Sequence, residues 1–323
     1  MNSRLDSKHW TEYWKSGNKT TFNSQFNDGY DGEIKSFWKS IFYDLKTGDS
    51  IADFCCGSGA LINLVIEFAS ENSLDINICG IDYADISVDR IKRLPNILPR
   101  IIANTSVEHS GLADSSIDLI ISQYGIEYTD IDLAIKEASR ICKAKGKMVF
   151  IAHTEESKII KEASTNIEQI DYCTKRLKIA ANVRRMLLVL EDKAKADLSG
   201  ASRKKADKLR TKINRDLVGL NTIITSNKQS TFVKYFVNQL MGVFESDNGK
   251  VIPMIEKLKM VDSLLQEIDD YRLRLSDLLG AALSKEMQSK LKQVLTSNGF
   301  RVDVFESIYY QTNNIGIKVV ASK

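Results

Sequence analysis

The stretch DFCCGSGAL, Asp53 to Leu61, stands between a short apolar run, SIA at 50–52, and a longer one, LINLVIEFA at 61–69. A strand, a Gly-Ser-Gly turn and a helix in that order bring bare backbone to the edge of a parallel sheet, where nucleotides bind. The spacing narrows which nucleotide. A dinucleotide fingerprint needs a third small residue where the helix packs on the strand, and Ile62 stands there. A P-loop needs Gly-Lys-Ser/Thr, and the stretch offers no lysine for β- and γ-phosphates. What remains is a ligand that passes close to two glycines and carries no pyrophosphate. Asp82, in GIDY at the end of the next strand, is placed to accept both hydroxyls of a ribose. An adenosyl group without phosphates fits.

Working outward, the period of the apolar residues predicts a strand at SIADFCC, a helix over 60–70, a strand at INICGIDY, a helix over 84–94, strands at RIIANTS and SIDLIISQY, a helix over 130–143 and a strand at KMVFIAH. This alternation predicts an α/β fold with a doubly wound, mostly parallel sheet. The C-terminal GFRVDVFESIYYQTNNIGIKVVASK reads as two strands around a polar QTNN turn, so that the last of seven strands runs antiparallel.

ADFCCGSGA followed by GIDYA resembles the first two motifs of class I S-adenosylmethionine-dependent methyltransferases, and the order of elements agrees over 48–153 and 298–323. The resemblance implies methyl transfer from S-adenosylmethionine, with Cys56, Gly57, Ser58 and Gly59 under the methionine and ribose, Asp82 on the ribose, Tyr83 covering the adenine and Asp53 orienting the turn. Cys55 stands where the family usually has Gly. For the adenine amino group the chain offers Asn104, Ser106, Val107 and Glu108, with none singled out. SQYGIEY resembles the segment that lines the sulfonium and acceptor, which nominates Ser122, Gln123 and Tyr124.

In-line methyl transfer asks the protein to align the acceptor, exclude water and, where the acceptor carries a proton, remove it. Candidate catalytic groups lie where the strands end. Glu127 and Tyr128 follow the fourth strand, where a carboxylate takes a proton or holds an amine. His153 ends the fifth, and its ordinary pKa suits a base near neutrality. His109 is a weaker candidate in a polar loop. Ahead of the first strand, residues 1–47 concentrate aromatic side chains in HWTEYWKSGNKTTFNSQFNDGYDGEIKSFW. This segment reads as a cap, with Tyr13, Trp14, Tyr30 and Glu33 as acceptor contacts, while Phe37, Trp38, Ile41 and Phe42 read as the buried face of a helix.

The core divides as 48–154 with 298–323, and the 155–297 stretch between them replaces a single connecting helix. Its apolar residues keep helical spacing (Ile167, Ile170, Leu177, Val183, Leu187, Leu190, then Ile255, Leu258, Leu265, Ile268, Leu275, Leu279), which predicts a helical arm or lid. Lys175 to Arg215 hold 14 Lys and Arg against 4 Asp and Glu, within a chain of 45 basic and 42 acidic residues, so the positive charge is local. That face is a possible nucleic-acid partner, but it holds no aromatic residue for stacking. The apolar stripes pack on each other, on the core or on a second subunit in a homodimer. A scaffold that has lost its cofactor is a third reading, opposed by Asp53, Gly57, Gly59 and Asp82.

No Asn/Asp-Pro-Pro-Tyr/Phe element occurs among only three prolines, which speaks against base N-methylation of DNA, and a small or medium-sized acceptor is expected. The five cysteines lack CxxC spacing, so reduced thiols and no metal site are expected. No window approaches the about 20 apolar residues of a membrane span, and the opening MNSRLDSKHW lacks an apolar signal region, so the expected place is the cytoplasm.

Overall fold

A computed structural model of the chain describes residues 8–20, 29–86, 89, 91–195, 200–226, 230–245 and 252–323. Two compact units emerge, Met1–Lys161 with Asp277–Lys323, and Glu162–Ser276.

The first unit holds a seven-stranded sheet of β1 (Ser50–Phe54), β2 (Asn77–Ile81), β3 (Arg100–Ile102), β4 (Ile117–Gln123), β5 (Cys142–Ala152), β6 (Arg301–Tyr310) and β7 (Asn313–Ser322), in the order β3-β2-β1-β4-β5-β7-β6. β1 pairs in parallel with both β2 and β4, which puts the switch point of the winding between β1 and β4. Only β7 runs against the rest, antiparallel to β5 and to β6. Gly316 allows that pairing at the carboxyl edge, because a side chain there would lie 2.2 Å from the Ala152 carbonyl oxygen.

α4 (Ile131–Ile141) is capped by Asp130, whose carboxylate accepts the Leu133 N–H, and buries Ala134, Ile135, Ala138 and Ile141 against Ile120, Met148 and Phe150 of the sheet. Each buried Ile stabilises by about 1.5–3 kcal/mol. α10 (Lys285–Ser297), capped by Ser284, buries Leu291, Val294 and Leu295 in the same core. The expected boundary at 297 is therefore corrected, since α10 and the end of the preceding helix belong with the sheet. Ahead of β1, α2 (Gly32–Phe42) stacks Trp38 on Phe42 and sets Phe42 against Phe68 of α3 (Ala60–Glu71).

The helix expected over 84–94 is absent among the described residues of that span, which form bends and turns. Its backbone groups are taken elsewhere. The Ala84 N–H goes to Asp82 and its carbonyl to the Asn104 N–H, the Lys92 N–H reaches Asn63, and Leu94 and Ile97 bond each other across Pro95. Residues 87, 88 and 90 lie outside the described residues.

The second unit is helical in its described residues apart from short connections at Lys178, Ser230, 243–245 and 252–253. It comprises the end of α5 (Lys158–Asp171), a π-helical turn at Tyr172–Leu177, α6 (Ile179–Lys195), α7 (Gly200–Ser226), α8 (Thr231–Gly242) and most of α9 (Met254–Ala281). Its interior holds Ile170, Val183, Leu187, Ile213, Leu220, Phe236, Leu240, Val261 and Ile268, and Phe232 stacks on Phe236 and Tyr271. No described helix is long and apolar enough to cross a membrane.

Candidate cofactor and acceptor site

The turn after β1 needs left-handed backbone three times, at Cys55 (φ 58°), Gly57 (φ 50°) and Gly59 (φ 79°), the last of which caps α3. Glycine adopts this freely, whereas a residue with a β-carbon is strained by about 1–2 kcal/mol. Cys55 carries that strain, which gives the physical reason for glycine as the family's usual residue. Its side chain is accommodated by Gly125, where a β-carbon would stand 2.4 Å from that of Cys55. Gly80 in β2 likewise leaves room for Cys56 and Ile62, with Sγ of Cys56 2.7 Å from where its β-carbon would be.

Asp82 is locked to the turn. Its Oδ2 accepts the Gly57 N–H at 2.7 Å and its Oδ1 the Ala84 N–H at 2.8 Å, which leaves each oxygen a lone pair for a further donor. Burial pushes its carboxyl up to about 6 in spite of both bonds. Asp53, 1% exposed at the end of β1, has no hydrogen-bond partner on Oδ2 among the described residues. Burial and the Asp82 charge hold it well above the usual carboxylate range.

Beyond β4 the short 3-10 turn Ile126–Tyr128 carries Glu127, 4% exposed. Its Oε1 accepts the His153 backbone N–H at 2.8 Å, its Oε2 has no hydrogen-bond partner among the described residues, and burial pushes its pKa up to about 8. The His153 ring is wholly buried and lies parallel on Tyr124, centroids 4.1 Å apart. Burial lowers it to about 3, which corrects the expectation of an ordinary histidine suited to act as a base at neutral pH. Glu127 is the better proton acceptor of the two.

The tyrosines converge on these acids. The phenols of Tyr30, Tyr124 and Tyr128 are all raised, first by burial and then by charges that include Glu127; Asp53 and Tyr13 also act on Tyr30, and Asp277 on Tyr128. The Tyr124 hydroxyl donates to the Ile315 carbonyl at 3.2 Å. Helix α1 (Lys8–Lys15) brings in the cap. A side chain on Gly57 would fall 2.6 Å from Cζ2 of Trp14, so Trp14 lies against the glycine turn. Tyr13 packs edge-on to Trp14 and donates to the Thr20 carbonyl at 2.7 Å, and Ser58 donates to the Lys19 carbonyl at 2.7 Å.

The other nominated residues have settled duties. Gln123 accepts the Trp38 indole N–H at 2.6 Å and keeps Nε2 without a partner among the described residues, while Ser122 donates to the Phe54 carbonyl. Val107 is packed in the core, Ser106 precedes a short 3-10 turn, and Asn104 has left-handed backbone, φ 54°. Glu108 accepts the Asp130 N–H. Tyr83 is 44% exposed. Glu33 is exposed and accepts the Gln311 N–H, so it serves the β6–β7 hairpin.

Gly125 and Asp277 have no place in the sequence reading. Asp277 Oδ2 meets His9 Nε2 at 2.5 Å and the Trp10 indole N–H at 3.0 Å, and Trp10 packs edge-on to Tyr128. Gly125 had a signal, since a cysteine in the glycine-rich turn requires space opposite. Asp277 had none, lying 267 positions from Trp10.

Residues 52–150 match the sequence model of a family described as a methyltransferase domain. A curated, uncharacterized protein of Methanocaldococcus jannaschii is 30% identical over 124 residues, 38% of this chain and 49% of that protein. The demethylmenaquinone methyltransferase of Lactobacillus johnsonii is 29% identical over 123 residues, 36% of this chain and 48% of that protein. The chain thus spans about half the length of the curated relatives it matches. A solved S-adenosylmethionine-dependent methyltransferase-like structure from Methanococcus maripaludis aligns over 100% of this chain and 95% of its own at 15% identity, with a TM-score of 0.44. Over residues 52–150 the sheet unit is thus similar to a methyltransferase domain.

Proposed function

We propose that the chain transfers a methyl group from S-adenosylmethionine to a small or medium-sized acceptor held between the cap and the carboxyl edge of the sheet. The observation that carries this is a pocket edge with three buried acids, Asp53, Asp82 and Glu127. No Lys or Arg figures among the charges acting on them within the described residues. Such acids cost stability until a cation or a hydrogen-bond donor reaches them. A sulfonium nucleoside supplies both, and the unpartnered Oδ2 of Asp53 and the spare lone pairs of Asp82 fit it.

When bound, the cofactor supplies a methyl group on a positively charged sulfur. Asp82 would hold the ribose hydroxyls, the bare backbone at Gly57 and Gly59 would let the ligand approach, and Asp53 would offset its positive charge. Trp14 and Tyr13 cover the turn and keep water from it, which strengthens each of these electrostatic contacts. Glu127, with a pKa near the working pH, takes the acceptor's proton.

Calorimetric titration of the purified protein with S-adenosylmethionine and S-adenosylhomocysteine tests this. Saturable heat with both is expected, and no heat with either overturns the enzyme reading.

A further inference from the structure

Resting on that reading, we propose that the methyl acceptor is an amine, bound as its ammonium ion by Glu127 and enclosed by Tyr30, Tyr124 and Tyr128. Three observations converge. The Glu127 side chain is fully buried, and Oε2 has no hydrogen-bond partner among the described residues although Oε1 is held by the His153 N–H. A buried carboxylate oxygen left in that state calls for a donor, and a charged one satisfies it best. The groups that sense Glu127 are three phenols and the Cys55 thiol; the one basic ring beside it in the described residues, His153 with Nε2 3.9 Å from Oε1, is kept neutral by burial, and no Lys or Arg stands among them. Tyrosine faces attract an organic cation, whereas this setting repels carboxylate, phosphate or phenolate acceptors.

Glu127 and Asp53 divide the work by position. Asp53 sits in β1 beside Asp82 and the glycine turn, the cofactor's side, and feels the Asp82 charge. Glu127 follows β4 and acts on the tyrosines, the acceptor's side.

The chemistry balances. The ammonium gives one proton to the Glu127 carboxylate, and burial has already raised that group to about 8, close enough to accept it. The nitrogen lone pair so freed forms the new N–C bond as the S–C bond breaks, and that electron pair stays on sulfur. No oxidant or further reactant is needed.

The test is binding, independent of turnover. The protein saturated with S-adenosylhomocysteine is titrated with matched probes, phenethylamine against 2-phenylethanol and phenylacetate, and putrescine against 1,4-butanediol and succinate, and tryptophan fluorescence is followed. At least one amine should bind about tenfold or more tighter than its neutral and anionic counterparts. Glu127→Gln, whose amide oxygen still accepts the His153 N–H, should abolish that preference and leave S-adenosylhomocysteine affinity within about threefold of wild type. The proposal is overturned if no amine binds preferentially, if the preference survives in Glu127→Gln, or if that variant loses the cofactor product instead. Failure of the wild type to bind S-adenosylhomocysteine at all would strike the underlying reading, a separate result.

Discussion

The carboxyl edge of the sheet and the helical unit treat their acids in opposite ways. In the helical unit Asp171 receives both the Nε and an Nη of Arg272, at 2.7 and 3.2 Å, with Lys175 at 2.9 Å. Asp216, nearly buried, holds Lys212 at 2.6 Å, and Arg184 forks onto Asp262. Arg272 first, then Lys175, keeps the Asp171 carboxyl down to about 2. At the sheet edge Asp82 rises to about 6 and Glu127 to about 8, with no cation to meet them in the described residues. Paired acids hold helices together, and unpaired buried acids mark where a ligand is expected. The same residue type is scaffold in one unit and, under the proposed function, site in the other.

Asp82→Ala should have the largest effect. Losing a carboxylate that holds the glycine turn and, in the proposed function, the ribose should weaken S-adenosylmethionine and S-adenosylhomocysteine by about 1.5–3 kcal/mol in calorimetry. An affinity equal to wild type would erase the contrast between the two regions.

The pH dependence of stability sharpens it. From its ordinary 4.5 up to about 8, Glu127 keeps a proton in the folded chain that the unfolded chain has lost, so stability falls as pH rises through that window. Asp82 adds the same sign from 3.8 to about 6. His153 opposes them from about 3 to 6.5, where only the unfolded imidazole is protonated. Above pH 6.5 the Glu127 contribution remains; Asp53, raised by burial and the Asp82 charge, acts with the same sign. Urea unfolding of the free protein should therefore show stability dropping between pH 6.5 and 8, by up to about 1.4 kcal/mol per pH unit for each proton involved. Glu127→Gln should reduce that slope by one proton's share, and an unchanged slope would place its titration elsewhere.

Asp171→Asn should cost about 0.5–1 kcal/mol, discounted because both partners are about a third exposed, and should leave S-adenosylhomocysteine affinity unchanged. The carboxylate's stabilisation is present above pH 3.8 and is lost as pH falls towards about 2, opposite in sign to Glu127.

The smallest effect is expected at the basic face of α7. Arg203, Lys204, Lys205 and Lys208 are exposed, whereas Arg210 and Lys212 already lean on Asp207 and Asp216. Replacing the first four by Gln should leave turnover of a small acceptor nearly intact. A loss of activity together with a flatter salt dependence would instead identify RNA as the acceptor.

The sheet was legible because its signals are local. Strand periodicity, the glycine turn and the acid ending β2 each lie within a few residues of one another, and the antiparallel close was visible in the QTNN hairpin. The helix over 84–94 was misread because its periodicity is helical while its backbone bonds go to Asp82, Asn104 and Asn63. The arm's far boundary failed because α10 has the same apolar spacing whether it packs on helices or on the sheet. His153 was placed at the correct edge, but its pKa depends on burial, which periodicity does not give.

The central claim is that the sheet unit alone holds the cofactor, since every proposed cofactor contact precedes residue 130. Its most direct test replaces residues 195–250 by a short Gly/Ser linker, confirms helix and sheet by circular dichroism, and measures S-adenosylhomocysteine affinity by calorimetry. An affinity within a few-fold of wild type is the predicted result. Loss of binding by a shortened protein that remains folded would contradict the claim and put part of the cofactor pocket in the helical unit.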